Sequence, residues 1–226
     1  MTPEETKEPF EEMSVFFNNV ASGYDDHMLS VGLGESFYNI IADYFDAPVT
    51  RLLDLGCGTG LQLEGLFEKF PDIEITGIDM SADMLKLLEE KYPDKKINVI
   101  CGSYFDVDFG GIYPSVLSTY SLHHFSEKDK LALYEKIYAA LDDGGLFVFG
   151  DEIVATLERQ QELLDENDKK RREHNVPDGE FYHFDTPFTT ETEIKLMKAA
   201  GFKSAEVVWQ QYRTDVDGTG IIIARK

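Results

Sequence analysis

The stretch Leu52-Leu-Asp-Leu-Gly-Cys-Gly-Thr-Gly60 places an acid, Asp54, two residues ahead of glycines at 56, 58 and 60. Glycine has no Cβ, so the chain can bend tightly there and a ligand can lie against bare main chain. The helix that must follow offers unpaired N–H groups and a partial positive charge to an anionic group. Asp54 can accept a hydrogen bond from a ligand ammonium. A second acid, Asp79, closes the next apolar run. It stands about 20 residues past the glycines, the distance at which a carboxylate grips a ribose diol. These groups suit a ligand with an amino-acid end and a nucleoside end. Nicotinamide enzymes also pair a glycine turn with a ribose-binding acid, but their last two glycines are spaced three apart; Gly58 and Gly60 are two apart.

The elements that must hold these residues alternate regularly. Residues 51–55 read as a strand, and 60–70 as a helix with Leu63, Leu66, Phe67 and Phe70 on one face, stopping at Pro71. The unit repeats: 73–79 is a strand, Ser81 is a helix N-cap, and Met84, Leu85, Leu88 and Tyr92 form a face ending at Pro93. Strands are expected at 97–101, 114–119 and 146–149, with a helix from Ser126 that carries Leu131, Tyr134, Ile137, Tyr138 and Leu141 inward and stops at Gly144 and Gly145. Two final strands, 203–212 and 220–225, suit a closing antiparallel hairpin. The pattern predicts a Rossmann-like, doubly wound α/β fold: a mostly parallel, seven-stranded sheet with an antiparallel C-terminal strand.

Two helical additions flank this unit. Phe10, Met13, Phe16, Phe17 and Val20 mark 1–20 as an amphipathic leader, and 35–45 as a second helix, so 1–48 forms an N-terminal cap. Residues 152–174 read as a long charged helix and 176–188 as an aromatic-bearing loop, too long for a plain connection. The segment 152–188 is read as a lid over the substrate side, with a solvated helical excursion as the other reading. Thr190 and Glu193 cap the helix after it.

Composition narrows the partners. At 226 residues and 42% hydrophobic, the chain supports one α/β domain over 1–226. The 43 acidic against 21 basic residues, a net charge of −22, repel phosphate backbones and anionic lipid heads. Neither nucleic acid nor membrane is an expected partner. No run approaches the ~18 apolar residues of a membrane helix, and the N-terminus is acidic, so a cytoplasmic location is expected. Cys57 and Cys101 are too few for a disulfide framework, and no spacing with the five histidines predicts a metal site.

LLDLGCGTG resembles motif I of the class I S-adenosylmethionine-dependent methyltransferases, and GIDMS at 77–81 resembles their ribose-binding turn. The likeness continues in FNNVASGYDDHM at 17–28, CGSYFDVDF at 101–109, STYSLHHFS at 118–126 and LDDGGLFVFGD at 141–151. It implies S-adenosylmethionine as cofactor. Asp54, Gly56 and Gly58, with Cys57 and Gly60 in the same turn, would hold the methionine part; Asp79 would take the ribose and Met80 the adenine. Ser103 stands where many relatives carry an Asp, so its hydroxyl or the Tyr104 backbone N–H would substitute. The Ser118 carbonyl would meet the ammonium, and Tyr24 would close over the methionine end.

The implied reaction is an in-line displacement at the methyl carbon, with a small-molecule O, N or C nucleophile as acceptor. Aligning two reactants is worth ~7–11 kcal/mol in favourable cases. An acceptor that must lose a proton needs a base. His123, in the loop after the fourth strand, is the closest match to the base of some plant-type O-methyltransferases; the other reading is that His123 and His124 cap or pack the next helix. Tyr182, His183 and Phe184 with Phe10, Phe16 and Phe17 either wall the acceptor pocket or fill a lid core. The acidic surface favours a neutral or cationic acceptor. Three further readings remain: a regulatory protein that binds cofactor without turnover, an enzyme acting on a modified sulfonium, and one acting on a protein side chain.

Overall fold

A computed structural model describes residues 10–31, 34–45 and 48–226; the first nine residues of the expected leader lie outside it. The seven strands are β1 (Arg51–Leu55), β2 (Glu74–Asp79), β3 (Ile97–Cys101), β4 (Tyr113–Thr119), β5 (Leu141–Val154), β6 (Ser204–Tyr212) and β7 (Asp217–Arg225). They lie in the order β3-β2-β1-β4-β5-β7-β6. All ladders from β3 to β5 are parallel, while β7 runs antiparallel to both β5 and β6. The sheet therefore matches the sequence expectation, including the single reversed strand.

Helices α1 (Met13–Val20), α2 (Tyr24–Ser30) and α3 (Gly34–Ile41) precede the sheet, and α4 (Leu63–Lys69), α5 (Ala82–Lys91), α6 (Glu127–Ala140), α7 (Leu157–Glu173) and α8 (Thr190–Ala199) follow. Both faces of β1 are buried, as a covered parallel strand requires. Leu52 packs with α3, α4 and α5, whereas Leu53 and Leu55 join the core under α6 and α8. Each such fully buried side chain contributes about 1.5–3 kcal/mol.

Several boundaries differ from the sequence reading: α6 ends at Ala140 and β5 begins at Leu141, ahead of the expected stop at Gly144, and β7 begins at Asp217 rather than 220. The fifth strand does not stop at 149, because Ile153 and Val154 continue its ladder opposite Gly218 and Asp217, so the long helix starts only at Leu157. Thr156 caps it by accepting from Arg159 N. The cap of α8 is Thr189 rather than Thr190, since the Glu193 carboxylate is engaged elsewhere: it holds the buried Lys130 ammonium and accepts from Tyr134 Oη at 2.5 Å. This buried ion pair ties α6 to α8. Helix α2 is an element that the periodicity of the leader did not announce. Among the described residues, no helix is long and apolar enough to cross a membrane.

Candidate active site

The strand order reverses between β1 and β4, and the carboxyl ends of β1 to β4 open there into a narrow crevice. Its walls include Gly56 and Gly58 after β1, Asp79 and Met80 after β2, Ser103 and Tyr104 after β3, and Tyr120 and Ser121 after β4. Gly56, Gly58 and Gly60 have φ of +71°, +50° and +76°, the left-handed region where a Cβ is costly. A Cβ on Gly56 would come within 2.1 Å of Ser121 Oγ, so the bend fits only with that atom missing.

Asp79 pins the bend: Oδ2 accepts from Gly58 N at 2.9 Å and Oδ1 from Ser81 N at 2.8 Å. Each oxygen keeps a lone pair for a ligand hydroxyl. Asp54 lies fully buried beneath the turn, with Oδ2 accepting from Gln62 Nε2 at 2.6 Å and Oδ1 without a hydrogen-bond partner. Burial raises its pKa to about 7, opposed by Gln62 and assisted by Asp79. A buried carboxylate oxygen with no partner costs free energy until a donor arrives. The ammonium of S-adenosylmethionine is such a donor, and the bare glycine backbone leaves it room; the residues fit this group.

Other residues singled out from the sequence take different places. Cys57 is buried against Gly77 in the next strand and serves the turn through its carbonyl, which accepts from Gly60 N and Gln62 Nε2 at 2.9 and 3.1 Å. Gly60 accepts from Tyr92 Oη at 3.0 Å and shapes the turn from behind. Ser118 is buried inside the sheet, its hydroxyl donating to Leu55 O at 2.9 Å. The crevice wall at the end of β4 is instead built by Tyr120, held at φ +45°, and by Ser121, which meets Tyr104 Oη at 3.1 Å. Ser103 and Tyr104 do line the crevice.

The N-terminal cap closes over this crevice. Asn18 Oδ1 accepts from Ser81 Oγ at 2.7 Å and from Asp83 N at 3.3 Å, and Asp25 accepts from Thr59 Oγ1 and pairs with Lys91. Between these anchors Phe17 and Tyr24 face inward.

Behind them lies a second cavity of about 420 Å³, lined among others by Phe16, Tyr120, His123, His183, Asp185 and Arg213. Phe17, Tyr24, Tyr120 and His124 line both spaces, so the two are adjacent and share these side chains as a wall. Of the aromatic candidates, Phe16, Phe17 and His183 wall this cavity; Phe184 faces a third one under α7, and Phe10 and Tyr182 pack together at 5.2 Å.

Histidines and acids meet at the cavity floor. Asp151, buried at the end of β5, binds His123 Nδ1 at 2.5 Å through Oδ1, which also accepts from Glu152 N at 2.8 Å. Its Oδ2 accepts from Leu122 N at 2.8 Å. From the insertion, Asp185 Oδ1 reaches within 3.3 Å of His123 Nε2 and 3.1 Å of His124 Nδ1. Burial alone would lower the His123 pKa, yet Asp151 and Asp185 hold it well above the ordinary value. Burial and its charged neighbour push His124 down, and burial lowers His183 to about 3. The sequence reading missed Asp151, Asp185, Tyr120 and Arg213. Asp151 was within reach of it, because an acid at the carboxyl end of a strand beside the switch point is a positional signal.

Residues 52–145 match the model of a family described as methyltransferase domain. Over 96% of this chain, and 99% of the relative's length, the sequence is 26% identical to carboxy-S-adenosyl-L-methionine synthase of Campylobacter lari. Malonyl-[acyl-carrier protein] O-methyltransferase of Priestia megaterium is 27% identical over 59% of this chain and 48% of its own. Human N-acetylserotonin methyltransferase, solved with S-adenosylmethionine, superposes with a TM-score of 0.66 at 16% identity over 94% of this chain. The chain spans 56% of the length of that protein.

Proposed function

We propose that this chain is a class I S-adenosylmethionine-dependent methyltransferase and transfers the cofactor's methyl group to a small molecule seated in the second cavity. One observation carries the reading. The crevice that suits the cofactor and the cavity behind it share Phe17, Tyr24, Tyr120 and His124 as a common wall. A nucleophile in the cavity is therefore adjacent to the crevice, and an in-line attack needs these four side chains to part between the two reactants.

When bound, S-adenosylmethionine supplies an activated methyl group on a sulfonium. The residues of this chain then have three tasks. Asp54 and the glycine bend fix the amino-acid end, and Asp79 takes the ribose hydroxyls. Met80, Ser103 and Tyr104 flank the space left for the adenine. Phe17 and Tyr24, anchored through Asn18 and Asp25, exclude water. We place His123 on the acceptor side, its Nε2 against Asp185; acting as a base would require that 3.3 Å contact to open.

A second reading takes the cofactor itself as the molecule modified, and the full-length likeness to carboxy-S-adenosyl-L-methionine synthase favours it. One experiment separates the two: radiolabelled S-adenosylmethionine incubated with a metabolite panel. Label on the acceptor with demethylated cofactor supports methyl transfer. Label retained in a heavier, carboxylated cofactor supports the second reading. His123→Ala should slow either reaction without changing cofactor affinity; unaltered turnover would remove His123 from the acceptor side.

A further inference from the structure

We propose that His123 Nε2, His124 Nδ1 and Asp185 Oδ1 bind one divalent transition-metal ion on the wall of the second cavity, with its open positions facing the acceptor. The proposal goes beyond methyl transfer, because an ion can bind here whether or not a methyl group moves.

Spacing is the first argument. The three atoms lie within 4.8 Å of one another, and Asp185 Oδ1 stands 3.3 and 3.1 Å from the two imidazole nitrogens. Metal–nitrogen and metal–oxygen bonds of about 2.0–2.1 Å put neighbouring ligands roughly 2.9–3.4 Å apart in octahedral or tetrahedral geometry. The 3.3 and 3.1 Å separations fall inside that range without any movement.

Hydrogen bonding is the second. His124 Nδ1 and Asp185 Oδ1 are both buried atoms with no hydrogen-bond partner, although they stand 3.1 Å apart. Their alignment does not let the ring N–H serve the carboxylate. A hydrogen bond would align them; a shared ion between them needs no such alignment and gives both atoms a partner. His124 is itself 93% buried, its relative exposure being 7%, so water does not supply the missing bond.

The outer support is the third. His123 Nδ1 is held by the buried Asp151 carboxylate, leaving Nε2 to face the cluster. Carboxylate–histidine pairs of this kind orient metal-ligating imidazoles and fix their tautomer. Asp151 is itself fixed by backbone N–H groups of Leu122 and Glu152. The insertion is stapled in register, because Thr186 donates to His123 O from both N and Oγ1 at 2.7 and 2.9 Å. A further imidazole stands close by: His183 Nε2 lies 3.9 Å from Asp185 Oδ1, its ring stacked on Phe16 at 3.5 Å. Among the described residues, no other group of three histidine, cysteine or acidic side chains converges in this way.

Two imidazoles with one carboxylate suit zinc, iron, cobalt or nickel rather than magnesium or calcium. The acceptor class this implies carries an oxygen donor, such as a carboxylate or an enol, able to complete the coordination. A hydroxyl of the acceptor bound to the ion would be acidified and pass its proton to water in the open cavity, with no free imidazole needed.

The test uses the full chain stripped with a chelator and titrated with Co²⁺, read by visible ligand-field absorption and then by Zn²⁺ competition. One ion per chain with intense nitrogen-ligated bands is expected, whereas cobalt on surface carboxylates stays weakly absorbing. Asp185→Ala and His124→Ala should each abolish the bands, and Asp151→Asn should weaken binding by about 10–100-fold. Asp185 is on a loop with its side chain 44% exposed, so its variant carries the test if His124→Ala fails to fold. S-adenosylhomocysteine binding to Asp185→Ala, unchanged from wild type, certifies that the crevice is intact. Absence of the bands in wild type, or bands that survive in Asp185→Ala, overturns the proposal.

Discussion

The crevice at the strand ends and the cavity proposed for the acceptor share a wall, yet they are built by opposite means. The crevice is mostly main chain: three glycines in left-handed conformations, and one carboxylate that accepts from Gly58 N and Ser81 N. Its parts sit at the ends of adjacent parallel strands, so the sheet alone places them. The cavity is made of side chains gathered from α1 and α2, the loop after β4, the insertion and the end of the last hairpin. Backbone geometry demands particular residues at fixed spacing, whereas a set of side chains brought together by tertiary packing imposes no spacing at all.

That contrast predicts where substitutions bite hardest. Gly56→Ala should have the largest effect, because it combines positive-φ strain with a contact of 2.1 Å to Ser121 Oγ. Together about 3 kcal/mol or more is at stake, an increase of at least roughly 100-fold in cofactor Kd by calorimetry. Gly58→Ala sharpens the point: nothing lies within 4 Å of its added Cβ, so only the strain of φ +50° remains, and the loss in Tm should be the smaller of the two.

A pH effect of about tenfold comes next. Asp54 titrates at about 7 in the empty protein, so cofactor affinity should rise about tenfold from pH 6 to 8 and then level off. The sign for stability is opposite. The folded carboxyl holds its proton more tightly than the unfolded one, so the empty protein loses this contribution as pH rises from 3.8 toward 7. Asp54→Asn should flatten both profiles.

On the cavity side, Arg213 pairs with Glu152 at 2.6 Å beside the histidines. Arg213→Met should raise acceptor KM about fivefold and leave cofactor Kd unchanged, since a half-exposed pair is worth about 1 kcal/mol. A change in cofactor Kd instead would break the division between the two regions. The smallest effect is expected of Asn18→Ala, which removes the strap's hydrogen bond to Ser81 Oγ and should weaken cofactor binding about threefold.

The same contrast explains what could be read in advance. Asp54, Gly56, Gly58 and Asp79 were legible because a backbone bend beside a parallel strand leaves few residue choices. The mostly parallel sheet and its reversed C-terminal strand were legible too, through the alternation of apolar runs with helical faces. Cys57 was misplaced because the motif cannot say which way its middle residue points; Gly77, lacking a side chain in β2, makes the hole that receives it. The wall that Tyr120 and Ser121 build after β4 was not legible, because nothing in the sequence announces the positive φ at which Tyr120 turns the chain. Asp185 was out of reach, since only the Thr186 staple to His123 O, 63 residues away in sequence, brings it to the histidines. The continuation of β5 into 153 and 154 was hidden by the charged helix after it.

Calorimetric titration of the wild-type chain with S-adenosylhomocysteine, beside Asp79→Ala, tests most directly that the bend from 54 to 60 and the carboxylate after β2 form one cradle. The account predicts a single micromolar site per chain. It also predicts at least about tenfold weaker binding in the variant, where Gly58 N and Ser81 N lose their shared acceptor. No heat from the wild type, or equal affinity in the two proteins, would contradict it.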